Sequence, residues 1–182
     1  MMPADFRLLA LIPPGSVQAE IGKLQAEMFG RFGLAASQAL PPLIPIQFIG
    51  PAGEERLLLE QLDRSIMAPW RATTGGLSLV DRHLYLGVDS NGVWAALRDR
   101  ARERCGPQPG ALFPVAEGFF LGCGDAARDV MEAKAAGVTA WAFSSCVVAV
   151  LGIEAPRGPA EWWREVYWEV LEQRPLRGRR ES

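Results

Sequence analysis

Few side chains in this sequence could carry acid–base or nucleophilic chemistry. The 182 residues contain one histidine, His83, so two imidazoles cannot act together as general base and general acid. His83 begins the apolar segment 83–88, whose composition predicts a strand. We therefore interpret this histidine as a partly exposed residue at the edge of a strand.

The remaining reactive candidates are separated from His83 along the sequence. Cys123 lies in the turn 122–125 before a predicted helix, and a helix N-terminus lowers a thiol pKa and attracts anions. Asp125 would repel an anion there, so an ordinary strand-to-helix turn is the favoured interpretation. Glu117 is a candidate general base, although strand alternation would turn its side chain away from that of residue 118. The cationic candidates are Arg71 and Arg82.

Composition limits the classes of function. The three cysteines are widely spaced and form no CxxC pair, so we predict neither a metal site nor a cofactor. Apolar residues make up 49% and charged residues 22% of the chain, as in a single soluble globular domain spanning 1–182. The net charge of −2 disfavours nucleic acid as a partner, because phosphate contacts supply much of the affinity in such complexes.

The termini carry no pattern typical of export or membrane insertion. The N-terminal segment lacks a basic region followed by an apolar stretch and a cleavage site, and the apolar run 8–12 is too short to span a bilayer. These features predict a cytoplasmic protein that does not associate with membranes. The segment 177–182 is predicted to be a disordered tail.

The elements that would position these residues recur in the same order in each half of the chain. The first half predicts strand 6–12, a helix from Ser16 to Gly30 or Gly33, strand 40–50, helix 54–66, a turn or bulge at 73–76 and strand 77–80. The second half predicts strand 83–88, a helix capped by Asn91, strand 118–122, helix 126–136 and strand 140–151. This pattern indicates an internal duplication.

The C-terminal segment 160–176 has features of both a helix and a strand. Its apolar residues recur at helical spacing, from Trp162 and Trp163 to Val170 and Leu171. Its β-branched and aromatic content is equally typical of a strand. Periodicity alone favours the helix.

The order of these elements resembles that of the two-histidine phosphoesterases, the superfamily of 2′-5′ RNA ligase-like proteins and cyclic nucleotide phosphodiesterases. The matching features are the opening strand before Pro13 and Pro14, the Pro-Pro-strand-Gly unit at 41–50, segment 71–77 leading into 82–88, Phe113-Pro114 before the second motif strand, and segment 169–176. The resemblance covers almost the whole chain. It implies an α+β fold in which two pseudo-symmetric lobes of mostly antiparallel sheet, approximately 1–80 and 81–176, have helices packed outside. It also implies that 169–176 is a strand.

In that family each lobe contributes a strand with a His-x-Thr pair to a central cleft. One histidine acts as general base and the other as general acid on a phosphodiester, while the hydroxyls hold phosphate oxygens. Carried onto this sequence, the histidine positions fall on Leu43 and Gly118, and the threonine positions fall on Pro45 and Phe120. None of these four side chains can transfer a proton or donate a hydrogen bond.

The resemblance and its departures together predict a non-catalytic protein. Its cleft, lined by Leu43, Pro45, Gly118 and Phe120, would be apolar and would bind a small ligand or a protein partner, or be closed by packing. An alternative is a phosphodiesterase or RNA ligase-like enzyme acting on cyclic nucleotides or RNA. Its relocated catalytic residues would come from Glu117, His83, Cys123, Arg71 and Arg82. A third hypothesis is a protein-interaction module based on Trp162, Trp163 and Trp168.

The sequence leaves the partner and the oligomeric state open. The net charge argues against nucleic acid, whereas the family resemblance keeps it possible as a ligand.

Overall fold

The computed structural model describes residues 6–50, 55–66, 70–105, 110–134 and 137–176. Its strands are β1 (Phe6–Ile12), β2 (Ile44–Ile49), β3 (Ala72–Val80), β4 (His83–Asp89), β5 (Gly118–Cys123), β6 (Ala142–Phe143), β7 (Val147–Glu154) and β8 (Tyr167–Pro175). Its helices are α1 (Gly15–Phe32), α2 (Glu55–Ser65), α3 (Val93–Cys105) and α4 (Ala126–Lys134). Short 3₁₀ turns occur at Ala35–Gln38 and Trp162–Arg164.

The strands form two four-stranded sheets. The first sheet has the order β2-β1-β7-β8 and the second has the order β5-β4-β3-β6. Every strand pairing within the described residues is antiparallel. The expected α+β fold with antiparallel sheets is confirmed. The division into lobes near residue 80 stays a prediction, and the first sheet combines strands from both ends of the chain.

Helix α1 has the predicted buried face but not the predicted N-terminal cap. The predicted face of Val17, Ile21, Leu24 and Met28 is buried. The helix ends at Gly33, whose φ of 69° is in the left-handed region, where glycine meets no steric penalty. The expected capping role of Ser16 is wrong, because Pro14 occupies the N-cap position and no side chain caps the helix.

The start of α3 differs from the sequence-based expectation in a similar way. Asn91 was predicted to cap this helix, but its backbone adopts a left-handed φ of 54° within the turn before it. The cap is instead Ser90, whose hydroxyl accepts a hydrogen bond from the Trp94 N–H at 3.0 Å. Serine is as good a capping residue as asparagine, so the sequence pattern alone could not separate these neighbours.

Two predicted segments differ in structure from the expectation. The single strand predicted over 140–151 is wrong, because β6 pairs with β3 in the second sheet whereas β7 pairs with β1 in the first. Exposed Ser144 and Ser145 separate the two strands. The helix favoured by periodicity in 160–176 is also wrong, because β8 pairs along β7 as the family resemblance implied. The predicted bulge is confirmed between Thr74 and Leu77.

Two hydrophobic cores hold these layers together. One core lies between the helices and one face of each sheet, and includes the buried face of α1. The other core, which we call the inter-sheet core, joins the opposite faces of the two sheets. Its members come from both sheets and from the loops between them, and include Leu8, Leu43, Phe48, Tyr85, Phe113, Phe120, Ala149, Leu151 and Trp162.

Candidate functional site

Two of the four motif positions meet where the two sheets approach each other. The backbone N–H of Phe120 on β5 donates a hydrogen bond to the carbonyl oxygen of Leu43, just before β2, at 3.2 Å. Leu43 is 0% exposed and Phe120 is 1% exposed. The segments expected to carry the motifs are therefore in direct contact. Neither of these two side chains reaches solvent.

Gly118 has no room for a side chain in this backbone. A Cβ atom added there would lie 2.6 Å from the carbonyl oxygen of Leu86 and 3.2 Å from the Cα of Gly87. Real Cβ atoms do not approach backbone atoms so closely, and the neighbouring strand would have to move. A histidine at this position is incompatible with the observed pairing of β4 and β5.

Aromatic rings fill the space between the motif segments. The rings of Phe113 and Phe120 stack with centroids 4.7 Å apart, and Trp162 lies against them at 5.3 Å and 5.7 Å. Trp162 is 0% exposed and comes from the 3₁₀ turn before β8. Tyr85 adds an edge-to-face contact with Phe120 at 5.8 Å. We call these four residues the aromatic cluster. It closes the region where the resemblance predicts a cleft.

The aromatic cluster contains two polar groups, the phenol of Tyr85 and the indole N–H of Trp162. The Tyr85 hydroxyl donates a hydrogen bond to the carbonyl oxygen of Pro114. Burial raises the pKa of Tyr85, so this hydroxyl stays protonated and is committed to a structural hydrogen bond. It is not available as a base.

His83 lies beside the aromatic cluster, although it is distant from both motif segments in sequence. Its ring centroid is 6.4 Å from those of Phe113 and Phe120. Burial lowers the pKa of His83, and a hydrogen bond with the Val80 backbone and the charge of Asp81 oppose that effect. The imidazole is therefore neutral at neutral pH.

Cys123 is the cross-strand partner of His83 in the pairing of β4 with β5. Its side chain is buried, and burial raises the pKa of the thiol to about 12 against the opposing charge of Arg82. Arg82 is exposed and forms an ion pair with Asp125 at 2.6 Å. A protonated, buried thiol is not a nucleophile at neutral pH, so this group lacks an activated residue.

The other two polar candidates lie apart from this group. The carboxylate of Glu117 accepts hydrogen bonds from the hydroxyl and the N–H of Ser90, the latter at 3.2 Å, and so supports the start of α3. Arg71 is exposed immediately before β3. The structure thus brings together His83, Cys123 and Arg82, and leaves Glu117 and Arg71 elsewhere.

Sequence reasoning missed how many aromatic residues contribute to this region. Phe113 was noted only as part of a matching segment, and Trp162 was interpreted as part of a helical stripe. The available signal was a Phe-Pro pair shortly before the second motif strand, because a proline-restrained loop can hold an aromatic side chain against that strand.

Two features are absent from the described residues. These residues contain no group of three or more His, Cys, Asp or Glu side chains that could hold a metal ion. None of the described helices combines the length and the apolar character needed to cross a membrane.

Solved structures share this architecture. The sequence matches no protein-family model and no curated protein. The protein TT0787 of Thermus thermophilus is 21% identical, with a TM-score of 0.57 over 96% of this chain and 100% of that chain. E. coli LigT in its apo form is 16% identical, with a TM-score of 0.58 over 97% of this chain and 99% of that chain. A phosphoesterase structure is 18% identical, with a TM-score of 0.57 over 96% and 99%.

These similarities establish the class of fold. The expected two-histidine phosphoesterase-like fold is confirmed, and it extends over nearly the full length of both chains in each comparison. E. coli LigT has also been crystallised with 3′-AMP and with NADP⁺.

Proposed function

We propose that this protein is a non-catalytic binding protein with a two-histidine phosphoesterase-like fold. The observation that carries the proposal is the closure of the expected cleft by the stacked rings of Phe113, Phe120 and Trp162. A phosphodiester cannot enter this region without displacing a fully buried tryptophan. Binding therefore takes place on surfaces outside the aromatic cluster.

The protonation states of the nearby groups support the same proposal. Phosphodiester cleavage by this fold requires one group that accepts a proton and one that donates it, each contributing roughly 10²–10⁴ in rate. His83 could supply one such function, but its partner Cys123 is held as a neutral thiol by burial. The sequence contains no second histidine that could act beside His83.

Turnover of a 2′,3′-cyclic nucleotide by the pure protein tests the proposal directly. Chromatographic product analysis at neutral pH should find no hydrolysis above the rate without protein. Robust turnover that H83Q or C123A abolishes would refute the proposal. The matched variants are H83Q and C123A, which separate the enzymatic alternative from contamination.

H83Q and C123A distinguish catalysis by this protein from catalysis by a contaminating enzyme. If relocated residues catalyse the reaction, H83Q should abolish the turnover while leaving the fold intact by circular dichroism. If a contaminating enzyme is responsible, the turnover should not respond to either substitution. Absence of turnover in the wild-type protein removes the cyclic nucleotide phosphodiesterase form of the alternative.

A second candidate function, homodimer formation, is favoured by the exposed strand β8. This strand forms the edge of the first sheet, and it exposes Tyr167 (60%), Trp168 (43%) and Val170 (40%). An edge strand with exposed apolar side chains is a site where another strand can pair. We propose a second copy of the chain as the partner. Light scattering should then give a dimer, and W168K should give a monomer; a monomeric wild-type protein would remove this candidate.

A further inference from the structure

A second surface of the molecule has unmatched positive charge. A pocket of about 370 Å³ lies between β2, helix α3 and the segment that begins at residue 110. Arg98 and Arg102 line it from α3, Gln47 lines it from β2, and Phe113, Pro114 and Val115 form its apolar wall. Its volume is within the range of sites that bind small molecules.

The two arginines lie one helical turn apart on the same face of α3. Like charges at this spacing repel each other and destabilise a helix. In the described part of the chain neither guanidinium is within ion-pair distance of a carboxylate, whereas the neighbouring Arg100 pairs with Glu103 at 2.9 Å. Asp99 acts on Arg98 only through longer-range attraction. Among the described residues, the pocket thus concentrates two positive charges without a counter-charge.

Arg98 is held in a fixed position by its surroundings. Its guanidinium lies 5.1 Å from the centroid of the Trp94 ring, and the indole N–H of Trp94 donates a hydrogen bond to the carbonyl oxygen of Pro45 at 2.9 Å. A cation on an anchored aromatic platform loses little freedom when it binds a ligand. Within the described residues, the Nε–H of Arg98 is buried and has no acceptor.

We propose that this pocket binds a small phosphate monoester or comparable oxyanion carried on an aromatic body. A dianionic head group would balance both guanidinium charges, and planar guanidinium groups match phosphate oxygens in pairs. The aromatic body would lie on the wall of Phe113, Pro114 and Val115. The pocket shares Phe113 with the aromatic cluster, and Trp94 beneath Arg98 is hydrogen-bonded to the motif residue Pro45, but binding here requires no catalytic group.

Calorimetric titration with phenyl phosphate tests the head group and the body together. We expect saturable binding in the millimolar range or tighter, on the order expected for a ligand of this size. Inorganic phosphate should bind at least about tenfold more weakly, since it lacks the aromatic body, and phenol should not bind, since it lacks the charged head group. Equal affinity for inorganic phosphate would overturn the aromatic part of the assignment. No saturable binding of phenyl phosphate at about 10 mM would overturn the site.

Substitutions locate the site on the protein. R98Q and R102Q should each weaken phenyl phosphate binding by about tenfold or more, because each removes a charge-assisted hydrogen bond. R100Q is the matched control, since it removes the same charge from the same helix on a different face. It should leave the affinity within about twofold. Equal losses in all three variants would indicate only nonspecific attraction and would overturn the site.

A spectroscopic measurement on the wild-type chain avoids any dependence on folding of the variants. The NMR signals of the Arg98 guanidinium should shift on titration with phenyl phosphate as this group binds the anion. The Arg100 signal should stay in place. Arg98 signals that do not move at saturation would contradict the role assigned to this group.

Discussion

The substitution W162A tests whether the tryptophan of the 3₁₀ turn closes the space between the sheets. Trp162 is fully buried and contacts Phe113 and Phe120. A tryptophan buries roughly 150–250 Å². At about 25 cal/mol per Å², its burial stabilises the fold by about 4–6 kcal/mol. Against this stands the indole N–H, which is buried without an acceptor among the described residues and costs about 1–3 kcal/mol. We therefore expect W162A to lower the free energy of unfolding by about 3 kcal/mol.

Urea denaturation followed by far-ultraviolet circular dichroism measures this change. The midpoint should fall with little change in slope, since a loss of stability without a change in exposed surface has that signature. W162F should cost less than W162A, because it retains an aromatic ring and removes the unpaired N–H. F29A is the control, since Phe29 on α1 is 51% exposed and lies outside the proposed dimer edge.

Two results would refute the reasoning about Trp162. A loss of less than about 1 kcal/mol in W162A would place the side chain in the range of ordinary surface substitutions. Equal losses in W162A and F29A would show that burial does not distinguish the two aromatic side chains. In either case the aromatic cluster would not be closed in solution.

Three further predictions concern backbone space, protonation and capping. G118A should destabilise the protein by about 2 kcal/mol or more in thermal unfolding, because its Cβ would lie 2.6 Å from the Leu86 oxygen. The control G76A should be close to neutral, because a Cβ at Gly76 would have nothing within 4 Å. The lowered pKa of His83 means that the unfolded chain binds a proton more readily than the folded one. The stabilisation of the folded state by neutral His83 is fully present above pH 6.5 and is lost as the pH falls towards the folded-state pKa. H83Q should flatten this part of the plot of unfolding free energy against pH. An unchanged plot would contradict the lowered pKa of His83. S90A should cost about 0.5–2 kcal/mol in urea denaturation, since it removes the cap of α3, and a neutral result would assign the cap elsewhere.

The sequence predicted those elements whose structure depends on local patterns. The apolar run of β1 and the buried stripe of α1 are formed by residues close together in the chain, and both were identified. The local pattern failed for the segment 160–176, because a long antiparallel pairing with β7 outweighs its helical periodicity. That pairing satisfies the backbone hydrogen bonds of β8 and depends on residues outside the segment.

The candidate site also depends on contacts between residues that are distant in the sequence. The absence of His-x-Thr pairs was visible in the sequence, and so was the apolar character of Leu43 and Phe120. The position of His83 against Phe120 was not, because it arises from the register of β4 with β5, two strands that a loop and a helix separate in the chain. The pocket around Arg98 was likewise invisible, since its wall and its charges come from three separate elements.

The central position of β1 has a consequence for how the protein folds during synthesis. Leu9 on β1 pairs with Val150 on β7, about 140 residues later in the chain. Loop closure over such a distance is slow, and folding rates fall as contacts become less local. The ribosome therefore releases most of the second sheet before the first can be completed. Until then β1 and β2 carry an open apolar edge, and the nascent chain depends on rapid arrival of β7 and β8, or on a chaperone, to cover it.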